Sequence, residues 1–207
     1  MNKYFKMNGN KIFYKVMVRL VQDLSNIKKI VNEEGLDVLV VSYGGSCSNT
    51  LVNTLQKNGY KCRSKMFDRI LCHCPHYIEL DIPIIYIYDN PISALLSMKR
   101  RGLGIWGTNQ RKLSNNRDIK LEDENLLKLM IKQYNNWKGH NDVLFVKTNE
   151  LFEKNILIKL KKFLKNDELM GFPIELKEKK TKLNEFDMDI VKVIEKYLPE
   201  IKKINLE

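Results

Sequence analysis

Cysteine and proline are scarce: 207 residues hold four cysteines and five prolines. Four cysteines are too few for a disulfide scaffold at this length, so the simplest compartment is a reducing one. Five prolines and ten glycines, with no Pro/Gly/Ser-rich run, exclude a collagen-like chain and supply no interdomain linker. No apolar run approaches the ~20 residues of a membrane span. The opening MNKYFKMNGNKIF lacks the continuous apolar stretch of a secretory signal. Internal repeats and heptads are missing too. These absences predict an intracellular, cytoplasmic protein of one domain over residues 1–207. Within it, 1–35 reads as an N-terminal helical segment, 36–166 as the core, and 167–207 as a basic C-terminal loop and helix.

What is present is a folding composition. Hydrophobic residues are 43% of the chain, enough for a sizeable core. Charge is unbalanced: 36 Lys and Arg against 25 Asp and Glu give +11, which attracts phosphates, sulfated glycans, nucleic acid or acidic membranes. The excess is clustered. Residues 95–120 hold seven basic residues against Asp118 alone, and residues 57–69 hold five against Asp68 alone. Clustering favours an anionic ligand near the middle of the chain. The abundance of Lys, Asn and Ile also fits a basic surface drawn from A/T-rich codons.

Periodicity predicts an amphipathic helix over 11–34, ended by Gly35. LDVLVV (36–41) reads as a strand buried on both faces, and 51–57 as the start of a helix. Further strands are expected at 66–71, 82–88 and 143–147. Asn90 can cap a helix whose first residue is Pro91, running to about Arg101. Gly102, Gly104 and Gly107 predict a loop next. Helices follow over 121–137, 150–164 and 187–197. Alternating β and α around buried strands is the three-layer α/β/α class with a central parallel sheet.

Three segments carry chemistry. In VLVVSYGGSCSNTLVNTL (38–55) a small-residue turn joins a buried strand to a helix N-terminus. Such a turn presents backbone N–H groups to an anion in the field of the helix dipole. The Walker pattern GxxxxGK[ST] and its lysine are absent, which argues against ATPase, GTPase and kinase chemistry. In LCHCP (71–75), His73 sits in a loop stiffened by Pro75 and is a candidate general base. Cys62, Cys72, His73, Cys74 and His76 lack the paired spacing of a zinc knuckle. In IYIYDNPISALLSMKRRG (85–102) a capped turn leads into a helix with a basic end.

Taken in this order, the segments resemble the sulfotransferase family, whose members move a sulfuryl group from 3′-phosphoadenosine 5′-phosphosulfate (PAPS) to an alcohol, phenol or amine. The resemblance covers roughly residues 36–166. It implies the P-loop-like sulfotransferase fold, a nucleotide-binding site and no metal. Gly45, Ser46, Cys47, Ser48, Asn49 and Thr50 fall on the loop that holds the 5′-phosphosulfate in the family. LCHCP falls on its KTHLP loop, which makes His73 the general base. DNPISALLS (89–97) falls on its RDPRDALLS segment, which puts Asp89 and Ser97 at the 3′-phosphate. Arg101 and the lysines at 177, 179, 180 and 182 are candidate cations near the nucleotide. Residues 102–120, basic and bearing Trp106, are expected to form the acceptor loop, for a glycan or small-molecule acceptor. Three family cations are replaced, by Ser46, Leu71 and Asp89. The alternative is therefore a degenerate relative that binds an anionic ligand or partner without turnover. A nucleic-acid binder stands last, because no nucleic-acid motif supports it.

Overall fold

Three short strands run parallel and frame the molecule. β1 (Leu39–Val41), β2 (Ile84–Tyr88) and β3 (Val143–Lys147) pair in that order. Leu39 lies opposite Ile84, and Ile84 opposite Val143. This computed structural model describes residues 24–64, 71–114, 116, 118–174 and 188–206. Parallel strands need crossover connections, and helices supply them. α1 (Leu24–Glu34) precedes β1, and α2 (Ser48–Lys57) follows it. α3 (Pro91–Arg100), α4 (Leu103–Ser114) and α5 (Asp123–Trp137) lie between β2 and β3. A 3₁₀ turn (Thr148–Phe152) and α6 (Ile156–Leu164) follow β3, and α7 (Met188–Lys196) and α8 (Leu198–Leu206) end the described chain.

The strands read as unbroken apolar runs because both sheet faces are covered. One face presents Leu39, Val41, Ile84, Tyr86 and Tyr88 to Leu95 and Met98 of α3, Met130 and Trp137 of α5, Val31 of α1 and Ile201 of α8. The other presents Val40, Ile85, Ile87 and Val146 to Leu51 and Leu55 of α2 and Leu160 of α6. On the first face Tyr86 packs against the rings of Tyr43, Tyr134, Trp137 and Phe145. The result is an α/β protein with a parallel sheet between helices. No helix among the described residues is long and apolar enough to cross a membrane.

β2 begins just after Pro83, and Asn90 Oδ1 accepts the Ile92 N–H at 2.8 Å to cap α3 on Pro91, as the sequence predicts. Four expectations need correction. The predicted loop after Arg101 is a helix from Leu103. Gly102, with φ +92°, ends α3, and α4 starts at once. Gly107 is buried in α4, where a Cβ would meet Leu121 Cδ1 at 2.9 Å. Trp106 Nε1 donates to Asp123 Oδ1 at 2.9 Å and ties the helix to α5. Tertiary anchoring outweighs the ~1 kcal/mol that each glycine costs a helix. The helix predicted over 150–164 is divided, because the 3₁₀ turn ends before residues 153–155 and α6 starts at Ile156. The last predicted helix is followed by another, α8. Leu71, expected to end a strand, has a helical conformation, and residues 65–70 lie outside the described residues. So do residues 11–23 of the first predicted helix and the lysines at 177, 179, 180 and 182.

Candidate functional site

The turn between β1 and α2 takes a backbone path that few residue types tolerate. Gly44, Gly45 and Cys47 have φ of +93°, +74° and +58°. Cys47 is the helix N-cap, and its carbonyl accepts from the Thr50 and Leu51 N–H groups at 2.9 and 3.2 Å. No side chain caps α2. A helix N-terminus carries partial positive charge that favours an anion, and Ser48 and Asn49 of this first turn line a cleft.

The turn is fastened on all sides. Ser46 Oγ donates to Ile87 O at 3.2 Å. The Thr148 hydroxyl lies 3.1 Å from Ser46 O and 3.0 Å from Tyr88 O. The Tyr43 hydroxyl donates to Asp89 O and accepts the Asp89 N–H at 2.9 Å. Burial pushes the Tyr43 hydroxyl pKa well up, so it stays protonated and keeps that bond. Gly45 lies directly on the backbone of α3 at Ala94.

The segment 72–75 runs alongside. Ser42 N–H donates to Cys72 O at 2.9 Å, and His73 Nδ1 lies 2.7 Å from Ser42 O. A carbonyl only accepts, so Nδ1 carries the ring proton and Nε2 is left as the acceptor. Three side chains on one face of α5 hold the segment. Gln133 Nε2 and Trp137 Nε1 donate to Cys74 O at 2.7 and 3.0 Å, and Asn136 Nδ2 donates to Pro75 O at 2.9 Å. The Tyr86 hydroxyl donates to Gln133 Oε1 at 3.1 Å and fixes the amide orientation.

Loop and histidine open on one cleft of about 550 Å³. Its walls include Gly44, Gly45, Ser48 and Asn49 from the turn and α2, and Cys72 and His73 from the second segment. Arg63, Arg101 and Lys112 also line it, and no Asp or Glu does so among the described residues. Arg63 Nη2 donates to Asn49 Oδ1 at 2.6 Å, which sets that guanidinium beside the α2 N-terminus. α4 forms another wall through Gly104, Thr108 and Lys112, spaced four apart on one helix face, with Asn109 beside them. Asn109 Nδ2 would lie 2.3 Å from a Cβ on Gly44, so the helix sits tightly over the turn.

Of the residues singled out in the sequence, the structure brings Gly45, Ser48, Asn49, His73 and Arg101 together in this cleft. Ser46 is fully buried and its hydroxyl is tied to β2, so its side chain does not face the cleft. Cys47 and Thr50 shape the helix start. Ser97 lies partly buried on α3, outside the cleft lining. Asp89 also lies outside it, and its Oδ1 accepts the Asn90 N–H at 2.7 Å. Burial raises the Asp89 pKa, and the Asn90 bond and the Lys147 charge oppose that. Leu71, where the resembled family carries lysine, is packed in the core. Gly44 from the small-residue turn and Lys112 from the basic stretch also line the cleft, the latter with Thr108 and Asn109 from the stretch expected as the acceptor loop; Gln133, which holds the histidine segment, was not singled out. The four-residue spacing of 104, 108 and 112 would have marked a shared face only if the stretch had been read as helical. Among the described residues no three His, Cys, Asp or Glu side chains are grouped for a metal ion.

The His73 ring keeps a partly exposed edge in the cleft yet lies deep among protein atoms. Desolvation, helped by the Lys112 charge and opposed by the Ser42 bond, lowers its pKa from 6.5 to about 3. The unfolded chain binds this proton near pH 6.5 and the folded chain only near 3. The stability from this residue is therefore complete above pH ~6.5 and is lost as pH falls below it, at up to ~1.4 kcal/mol per pH unit. Urea unfolding from pH 7 to 5 is expected to show this slope in the wild type. His73→Gln should remove it, and an unchanged slope in the variant would contradict the assignment.

Comparison of the chain with protein-family models, with curated proteins and with solved structures gives no match in any of the three.

Proposed function

We propose that this protein is a sulfotransferase-like enzyme that moves a sulfuryl group from PAPS to an acceptor hydroxyl or amine, in a P-loop-like sulfotransferase fold. One observation carries the reading. Unlike charges attract, and a loop rich in N–H groups, three cations and an unprotonated histidine nitrogen share one cleft that no carboxylate lines among the described residues. The order of the strand, loop, histidine and capped helix supports the same reading.

The proposed reaction uses these groups in turn. The amides of the turn and of the α2 N-terminus hold the 5′-phosphosulfate. The acceptor hydroxyl lies against His73. As its oxygen bonds to sulfur, its proton passes to Nε2. The bond between sulfur and the bridging phosphate oxygen breaks, and its electron pair stays on that oxygen. The products are the sulfated acceptor and adenosine 3′,5′-bisphosphate. The His73 proton then returns to solvent. Arg63 and Arg101 stabilise the charge on the leaving phosphate, and the chemistry needs no metal in this scheme.

A degenerate, anion-binding relative is the second reading. It is favoured by Ser46 and Leu71, both buried at positions where the family carries cations. Calorimetry with adenosine 3′,5′-bisphosphate tests the shared premise. A hydrogen bond to a charged group contributes ~1.5–3 kcal/mol, so Arg63→Ala and Arg101→Ala should each weaken binding ~10- to 100-fold. Affinity unchanged in both variants would refute this cleft as the nucleotide site.

A further inference from the structure

The cations that line the cleft do not stand at the positions where the resembled family carries them. The loop position that bears a cation in the resembled family is Ser46 here, with its hydroxyl bonded to Ile87 O. The other, beside the histidine, is Leu71, packed in the core. Neither side chain reaches the cleft. Of the three cations that do, Arg63 is bonded to Asn49 at the α2 N-terminus. Arg101 follows the end of α3 and is exposed. Lys112 stands on the α4 wall, near enough to His73 for its charge to depress the basicity of that ring. The transferred group must lie between the loop amides and the atom that His73 deprotonates. A Cβ on Gly44 would meet both Asn109 Nδ2 at 2.3 Å and His73 Cε1 at 3.4 Å, so α4 passes beside the ring, and Lys112 lies one turn after Asn109 on the wall it forms.

We propose that Lys112 is a further catalytic residue: its ammonium contacts the sulfuryl group in the cleft and takes the place of a loop cation. This rests on the sulfuryl-transfer reading above. α4 gives Lys112 a fixed origin, because Trp106 is bonded to Asp123 and Gly107 fits against Leu121. The contact strengthens as negative charge builds on the one oxygen that bridges sulfur and phosphorus while its bond to sulfur breaks. A bound anion also offsets the Lys112 charge, which adds to burial in lowering the basicity of His73. Donor binding therefore makes the histidine a better base, and the base is weakest when the cleft is empty.

Three probes separate this from the donor reading: PAPS without acceptor, adenosine 3′,5′-bisphosphate, and inorganic pyrophosphate. Each is titrated into wild type, Lys112→Gln and Lys112→Arg. Only PAPS among the two nucleotides carries the sulfuryl group. Lys112→Gln is expected to weaken PAPS ~10-fold or more and the bisphosphate less than threefold, and Lys112→Arg to retain both affinities, since a contact to a charged group carries about that weight. Equal losses for the two nucleotides, or none, would overturn the proposal. If neither nucleotide binds the wild type, the PAPS reading fails and pyrophosphate decides the rest. A loss of pyrophosphate affinity in Lys112→Gln, restored by Lys112→Arg, keeps the anion contact. Pyrophosphate binding that ignores the substitution, or is absent from the wild type, removes it.

Discussion

Gly45→Ala is expected to destabilise the protein by ~2–5 kcal/mol. Two costs combine. The backbone there has φ +74°, and an L side chain in the left-handed region costs ~1–2 kcal/mol. The new methyl would also lie 2.6 Å from Ala94 O and 2.8 Å from Ala94 Cα. These are backbone atoms of α3 and cannot rotate away, so the turn and the helix must part. Overpacking of this kind adds ~1–3 kcal/mol. Gly59→Ala is the control, because it has φ +87° and open space around its Cβ. It should lose only the conformational part. Urea unfolding of both variants measures the difference. Equal losses would mean that the turn does not rest on α3 as described. At Gly44 the nearest obstacle is the Asn109 side chain, which can turn aside, so Gly44→Ala should cost less than Gly45→Ala.

His73→Ala carries the largest expected effect on activity. General-base catalysis contributes ~10²–10⁴-fold, and turnover should fall by that range. Nucleotide affinity should change little, because the proposed scheme holds the phosphosulfate by loop amides and cations rather than by the ring. Selective loss is the signature of a base, whereas a collapsed site loses binding as well. Retained turnover would remove the histidine from the mechanism and leave the degenerate module as the better account.

The strands were legible because burial on both faces leaves no room for polar residues. IPIIYIY and VLFVK are therefore plain in the sequence, and Asn90-Pro91 announces the next helix. α4 was not legible, since Gly104 and Gly107 argue locally against a helix. Their reason is distant: Leu121 needs the space at Gly107, and Asp123 anchors Trp106. That one misreading took a helical wall of the cleft for an acceptor loop, so the face that lines up Thr108 and Lys112 was not seen. The loop and His73 were visible because small residues before a helix and a histidine before Pro75 are local signals. The grip of Gln133 and Trp137 on Cys74 O was not, because those partners lie 59 and 63 residues away in sequence. Ser46 shows the opposite limit. Sequence register placed it among the anion ligands, but its side chain turns inward to the Ile87 carbonyl.

The most direct measurement follows wild type and His73→Ala side by side, with calorimetric binding of adenosine 3′,5′-bisphosphate and its release from PAPS over a panel of phenols, alcohols, amines and glycans. ADP and sulfate serve as binding controls. The account expects both proteins to bind the bisphosphate in preference to the controls, and only the wild type to release it at an acceptor-dependent rate. No preference for the bisphosphate in the wild type, or equal release by the two proteins, would contradict it.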